Sequence, residues 1–323
     1  VRGTAGKTAG AVIGGAAALG IAAFAWGSLV ERKLFRVRRE TLPILPPDAS
    51  PLRVLQLADL HMAPWQTTKQ EWVRSLIDLE PDLLIDTGDN LGHPDGLDGL
   101  ARSLAPFAGI PGVFVNGSND YFGPVLKNPF KYFLPRQARE HRDVDLDTDA
   151  LEAYFTESLG WLNLNNAATS LSVGGSHLEL FGVNDAHRNW DRLDLLPGEI
   201  DELRENEDAA SAGAVTIGVT HAPYRRVLDA FVTNGAAAIF AGHTHGGQVR
   251  VPGLPALVTN CDIPRQQAQG LSTWNHAGRS AWLNVSAGIG TSIYAPVRFA
   301  CPPEAVLVTL IPSDMAAGDI GYP

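Results

Sequence analysis

Six residues stand in a pattern that suits metal binding: Asp59, His61, Asp89, His221, His243 and His245. Each follows an apolar run. RVLQLA precedes Asp59 and His61, LLID precedes Asp89 within TGDN, VTIGVT precedes His221, and AIFA precedes His243 and His245 within GHTHGGQ. Asn119 and Asp120 follow a fifth such run, VFVN. Short apolar runs bounded by turn residues read as buried strands. In open α/β sheets, ligands collect beyond the carboxyl ends of the strands. Carboxylate and imidazole suit Zn, Mn or Fe. Asp-x-His and His-x-His each set two side chains on one side of an extended segment. Glycines at 88, 242, 246 and 247 permit tight turns there. Two metal ions ~3.5–4 Å apart can hold a bridging hydroxide and neutralise a phosphoryl group during in-line attack.

The elements that must position these residues are legible as periodicities. Strands are expected over Leu34–Ile44, Leu52–Ala58, Asp82–Asp86, Gly112–Asn116, Leu178–Val183, Val215–Thr220, Ala237–Ala241 and Ala281–Ser286. Helical spacing marks Thr67–Glu80, Leu97–Phe107, Thr148–Leu159 and Tyr224–Val232, with Trp72 on the core stripe of the first. Alternating strands and helices argue for α/β layers. The later strands Gln248–Val251, Trp282–Ser286 and Ala305–Leu310 have few helices between them, which suggests a more antiparallel second sheet.

Taken in order, Asp-x-His (59–61), Gly-Asp (88–89), a Gly-Asn-His-Asp-like block (117–120), an isolated His221 and Gly-His-x-His (242–245) resemble the calcineurin-like metallophosphoesterase superfamily. The ending GHTHGGQ is similar to its branch of membrane-associated or exported bacterial phosphodiesterases. The resemblance spans roughly Leu52 to Leu310 and implies a four-layer α/β/β/α sandwich. It implies that Asp59, His61 and His245 bind a first metal ion, that Asp89 bridges, and that His221 and His243 bind a second. It also implies an Asn ligand and a catalytic His at 118 and 119. This chain has Ser118 and Asn119 there, followed by Asp120, and Asn119 and Asp120 are its candidate catalytic residues in this block. Three accounts stand open: Asn119 shifts into the ligand role, Ser118 or a water fills it, or the second ion binds weakly. His187, in GVNDAH, is either a replacement acid or an ordinary loop histidine. Asn90, His93 and Arg298 are further candidates for touching phosphate, each with a structural alternative.

The rest of the chain bounds these readings. Of its 323 residues 45% are hydrophobic and 19% charged, enough for one large core. A net charge of −10 argues against a nucleic-acid surface. Residues 1–33 read as a membrane anchor or signal segment, 34–312 as the phosphoesterase domain, and 313–323 as a loose tail. Thr8–Val30 is an uncharged apolar run of ~23 residues, ~34 Å as a helix, long enough to span a bilayer core. Ala23-Phe24-Ala25 also fits a cleavage site. The length of the run favours a single-pass N-terminal anchor and hence a transmembrane helix. Arg32, Lys33, Arg36, Arg38 and Arg39 follow it and bear on its orientation, unless they belong to a strand. The aromatics of Pro129–Pro135 would meet membrane or protein. Cys261 and Cys301 form a disulfide or stay as thiols.

The expected function is hydrolysis of a phosphodiester or pyrophosphate. The anchor makes a lipid-linked or envelope substrate attractive. The rivals are a non-catalytic metal-binding regulatory protein and a nucleotide phosphodiesterase.

Overall fold

The structure is a computed structural model, described for residues 15, 18–126, 142–206 and 213–315. Among these residues the strands form two six-stranded sheets. The first has the order β1 (Arg36–Leu45), β12 (Glu304–Pro312), β2 (Leu52–Leu57), β3 (Leu83–Asp86), β4 (Gly112–Phe114), β5 (Leu162–Asn163). The second has the order β10 (Gly270–His276), β11 (Arg279–Val285), β9 (Ala238–Ala241), β8 (Val215–Thr220), β7 (Ser176–Gly182), β6 (Ala167–Val173). The central pairs β2–β3–β4 and β7–β8–β9 are parallel, so their carboxyl ends open on shared edges. Antiparallel pairs are confined to β12–β2, β6–β7 and β10–β11. The expected antiparallel character of the second half is thus limited to the outer strands of its sheet.

Alternation along each strand builds the layers. Val54 and Ile85 face Ile217, Val219 and Phe240 in a core between the sheets. Their neighbours Leu55, Leu57 and Leu84 face outward onto Leu100, Leu104 and Val73. Those belong to α3 (Leu97–Leu104) and α2 (Thr67–Ser75). Trp72 stacks on Phe35 with ring centroids 5.0 Å apart, as core rather than ligand platform. On the far side Ile239 and Leu283 meet Val227, Leu228, Phe231 and Val232 of the helix Arg225–Thr233. Strands covered on both faces read as unbroken apolar runs, which is why they were legible. The expected α/β/β/α layering is what the strands and helices build.

A polar chain ties the sheets. Arg38 Nη1 donates to Asn284 Oδ1 (2.9 Å), Asn284 Nδ2 donates to Gln56 Oε1 (2.6 Å), and Gln56 Nε2 donates to the Ala241 carbonyl (2.9 Å). Gln56 and Asn284 are buried, so each amide finds its partners in the other sheet.

Two expectations are corrected. No helix among the described residues is long and apolar enough to cross a membrane, which overturns the single-pass anchor. Part of Thr8–Val30 lies outside the described residues. Among the described residues, 18–29 are helical (α1). It ends in a turn and the short helix Glu31–Lys33. The Gly27 carbonyl accepts the Arg298 N–H (3.1 Å), which seats the helix on the domain. Within the basic run after it, Arg36 and Arg38 both reach the buried Glu304, at 2.8 and 3.1 Å. Second, Gln248–Val251 is no strand. Only Val249 bridges, to Phe299, because Gln248 has φ 53° and Pro252 lacks an N–H. Pro129–Pro135 and the end of the tail lie outside the described residues. Cys261 and Cys301 remain thiols.

Candidate metal centre

The site forms where the parallel strands of both sheets end. Asp59 and His61 follow β2, Asp89 follows β3, and Asn119 follows β4, all from the first sheet. His221 follows β8, and His243 and His245 follow β9, from the second. Beyond the last ladder bonds the β2 and β3 loops still run together. Asp59 N–H donates to Gly88 O (2.9 Å) and His61 N–H to Asp89 O (2.9 Å).

Backbone conformation singles these residues out. Asp59, His61, Asp89, His243 and His245 have φ of 50°, 41°, 59°, 69° and 48°. A non-glycine residue in the left-handed region costs about 1–3 kcal/mol and clusters at functional sites. Five such residues at converging strand ends mark a place where side-chain direction outweighs backbone comfort. Gly117 shows the same crowding: a Cβ there would stand 2.7 Å from His221 Cε1 and would also strike Asp89 Oδ1.

The donor atoms fall into two halves that share Asp89. In one, ligand atoms of Asp59, His61, Asp89 and His245 all lie within 4.8 Å of one another. His61 Nε2 is 3.2 Å from His245 Nε2, and His245 Nε2 is 3.5 Å from Asp59 Oδ1. In the other, His221 Nε2 lies 3.2 Å from His243 Nδ1 and 3.4 Å from Asp89 Oδ1. The second oxygen, Asp89 Oδ2, is 3.6 Å from His61 Nε2. One carboxylate therefore offers an oxygen to each half. Outer partners orient the rings: His221 Nδ1 meets the Thr87 carbonyl (2.8 Å) and His243 Nε2 meets the Asn260 carbonyl (3.3 Å). Such contacts aim the opposite nitrogen at a metal.

Electrostatics fit cations. Burial pushes Asp59 up to about 7, with Asp89 adding to the rise and His221 opposing it. Burial lowers His61 to about 4. Burial also lowers His245, and His61 and Arg298 act in the same sense. Burial opposes a charge on His221, but the Asp89 carboxylate outweighs it and raises that imidazole. Two buried carboxylates among four imidazoles are the donor set that suits a borderline metal ion, and bound cations would keep both carboxylates ionised.

Asn119 points into the site. Its N–H donates to Asp89 Oδ1 (2.7 Å) and its Nδ2 to Asp89 Oδ2 (2.6 Å). Ser118 Oγ donates to Asp185 Oδ2. Asp120 faces away from the donors: its carboxylate accepts four backbone N–H groups, from Asp89, Asn90, Leu91 and Gly117. It is a clamp on the β3 loop, where sequence reasoning placed it among catalytic residues. His187 does reach the site, its ring centroid 4.5 Å from that of His243 and its Nδ1 2.9 Å from Tyr224 Oη.

The remaining candidates have partners within the protein. Asn90 Nδ2 bonds Asp86 (2.9 Å), and His93 Nδ1 accepts the Asp95 N–H (3.1 Å). Arg298 is buried, donates to the carbonyls of Ala287, Gly288, Gly290 and Cys301, and sets its Nη2 3.4 Å from His245 Nδ1. Sequence reasoning missed Lys69, buried in α2, whose Nζ donates to the carbonyls of Leu60 and His61. Helical periodicity marks only apolar positions, so it gave no signal for a buried lysine.

Burial lowers Lys69 from 10.5 to about 7, with Arg298 and Arg32 assisting. Between those two pH values the unfolded chain holds a proton that the folded chain has released. Stability contributed by this group therefore rises with pH across the window and is lost as pH falls through about 7. Lys69→Met should flatten that rise. Thermal melts of both proteins from pH 7 to 9.5 check it, and parallel profiles would refute it.

Comparisons with known proteins agree with the geometry. The family model of calcineurin-like phosphoesterases matches residues 52–247. The chain belongs to the calcineurin-like phosphoesterase family, and it is a hydrolase acting on phosphoester bonds. It is 26% identical over 266 residues to the uncharacterized protein YpbG of Bacillus subtilis (strain 168), covering 80% of this chain and 81% of that one. It is 24% identical over 281 residues to phosphodiesterase YaeI of Escherichia coli (strain K12), covering 86% and 88%. Among solved structures it is similar to a 5'-nucleotidase precursor from Thermus thermophilus, with TM-score 0.45, 13% identity, and coverage of 80% of this chain and 55% of that one.

Proposed function

We propose that this chain hydrolyses a phosphodiester or pyrophosphate bond with two metal ions. Asp59, His61 and His245 would hold one, His221 and His243 the other, with Asp89 between them. The observation that carries this reading is the Asp89 carboxylate, whose two oxygens face different histidines, His221 at 3.4 Å and His61 at 3.6 Å. When bound, the ions would supply charge neutralisation of the phosphoryl group and activation of water.

The chain's own residues would do the rest. Asn119, held against Asp89 by two hydrogen bonds, presents its amide to a phosphoryl oxygen or to an ion. His187, oriented by Tyr224 and lying on the His243 ring, holds a proton for the leaving oxygen. A diester or pyrophosphate is favoured over a monoester by the relative named a phosphodiesterase, 24% identical. The lipid-linked substrate expected earlier rested on the anchor and loses that support with it. Manganese-supplemented hydrolysis of bis-(p-nitrophenyl) phosphate, compared with p-nitrophenyl phosphate, tests the reading. Faster turnover of the monoester would overturn the preference.

The proton donor has its own test. General acid catalysis contributes about 10²–10⁴-fold, and most where the leaving group is a poor one. His187→Asn should therefore lose about 10²-fold on alkyl esters while changing p-nitrophenyl esters by a few-fold at most. Equal losses on both would remove the proton-donor role.

A further inference from the structure

The turn after β7 carries a buried carboxylate that the chemistry above leaves unused. Asp185 has no exposed surface. Its Oδ1 accepts the His187 N–H (2.8 Å), the ordinary cap of the short helix Ala186–Arg188. A cap needs one oxygen. The other, Oδ2, accepts the Ser118 hydroxyl, from the strand-end turn of the opposite sheet. Asn119, the residue after Ser118, donates its N–H to Asp89 Oδ1 (2.7 Å), so the Ser118 turn stands beside the donor set. Gly117, the residue before Ser118, is packed so closely on Asp89 and His221 that a Cβ there would strike both.

A hydroxyl has one proton and two lone pairs. With the proton given to Asp185, the lone pairs of Ser118 Oγ point elsewhere and carry more electron density. A carboxylate behind a ligand raises that ligand's basicity, as it does behind a metal-bound histidine. Neutral serine alone is a weak donor to a cation, and serine backed by a buried carboxylate is a better one.

We infer that Asp185 is a positioning residue that turns Ser118 Oγ into an oxygen donor for the second metal ion, beside His221 and His243. The inference rests on the two-ion reading above. It places the extra ligand on Ser118 through a partner 67 residues away, and leaves Asn119 to Asp89 and the substrate.

Metal binding, rather than turnover, tests this. The full chain would be loaded with Mn²⁺, the ions per chain counted by elemental analysis, and the second affinity followed by titration. Spin coupling between paired Mn²⁺ ions would be read by electron paramagnetic resonance. Wild type should take two coupled ions. Ser118→Ala and Asp185→Asn should bind the first ion as wild type does and the second about 10–100-fold more weakly, with the coupled spectrum lost at low Mn²⁺. Ser118→Thr keeps the hydroxyl and should restore both. Ser118→Ala removes one atom, so the test survives even if Asp185→Asn folds poorly. Wild-type affinity for the second ion in Ser118→Ala, with the loss found in Asn119→Ala instead, would overturn the inference and leave the two-ion reading standing. Fewer than two ions in wild type would overturn both.

Discussion

Asp89→Asn should reduce hydrolysis of bis-(p-nitrophenyl) phosphate by at least about 10³-fold, more than the ~10²–10³ typical of one lost transition-state contact. The reason is geometric. Asp89 Oδ1 faces His221 and Oδ2 faces His61, so the carboxylate belongs to both halves of the site. Asparagine keeps the shape but replaces one oxygen by an N–H₂ group and removes the charge. One half would then present a donor where an ion needs an acceptor. Asn119 would suffer too, because its N–H and its Nδ2 each donate to a different Asp89 oxygen. Stability should move much less than activity. Removing a buried carboxylate also removes its desolvation cost, which offsets part of the lost hydrogen bonding. A variant with more than a tenth of wild-type kcat/KM would show that Asp89 does not hold the catalytic centre together.

Asp120→Ala should do the reverse: its first effect is on folding. Four buried N–H groups converge on this carboxylate, at 2.8 Å from Asp89, 2.7 Å from Asn90, 3.2 Å from Leu91 and 2.9 Å from Gly117. An orphaned buried donor costs about 1–3 kcal/mol. Even at the low end the four together approach ~4 kcal/mol, a large share of the ~5–15 kcal/mol that holds a domain folded. Asp120→Asn would turn an amide N–H₂ toward some of those donors, so it should recover only part of the loss. Urea unfolding of the three proteins measures the series. A loss below about 1 kcal/mol for the alanine variant would mean that the β3 loop holds its shape without Asp120.

These two aspartates show how far the amino-acid sequence could be read. Both follow apolar strands, and both stand in short polar runs. Asp89 was legible as a candidate ligand because its neighbours on the other strand ends are histidines, and strand ends converge in any parallel sheet. The clamping contacts of Asp120 were not legible because its partners are backbone groups, which carry no sequence signature. Lys69 escaped for the same reason: it donates to carbonyls. The contact of Ser118 with Asp185 lies beyond any local pattern. Strands β6 and β10 went unread because their residues are mostly half-buried and rich in Ser, Thr and Asn.

The polar chain Arg38–Asn284–Gln56–Ala241 joins the two sheets next to the strands that carry the donors. Each half of the site takes side chains from both sheets. A slide of one sheet over the other would therefore change the gap between the two halves of the donor set before it disturbed either half alone. The chain of amides acts as an alignment key between two leaves, and the spacing of the donor atoms becomes a property of how the two sheets are stacked. Substitutions at Gln56, which touches no ligand side chain, would then retune the centre the way a shim retunes a bearing.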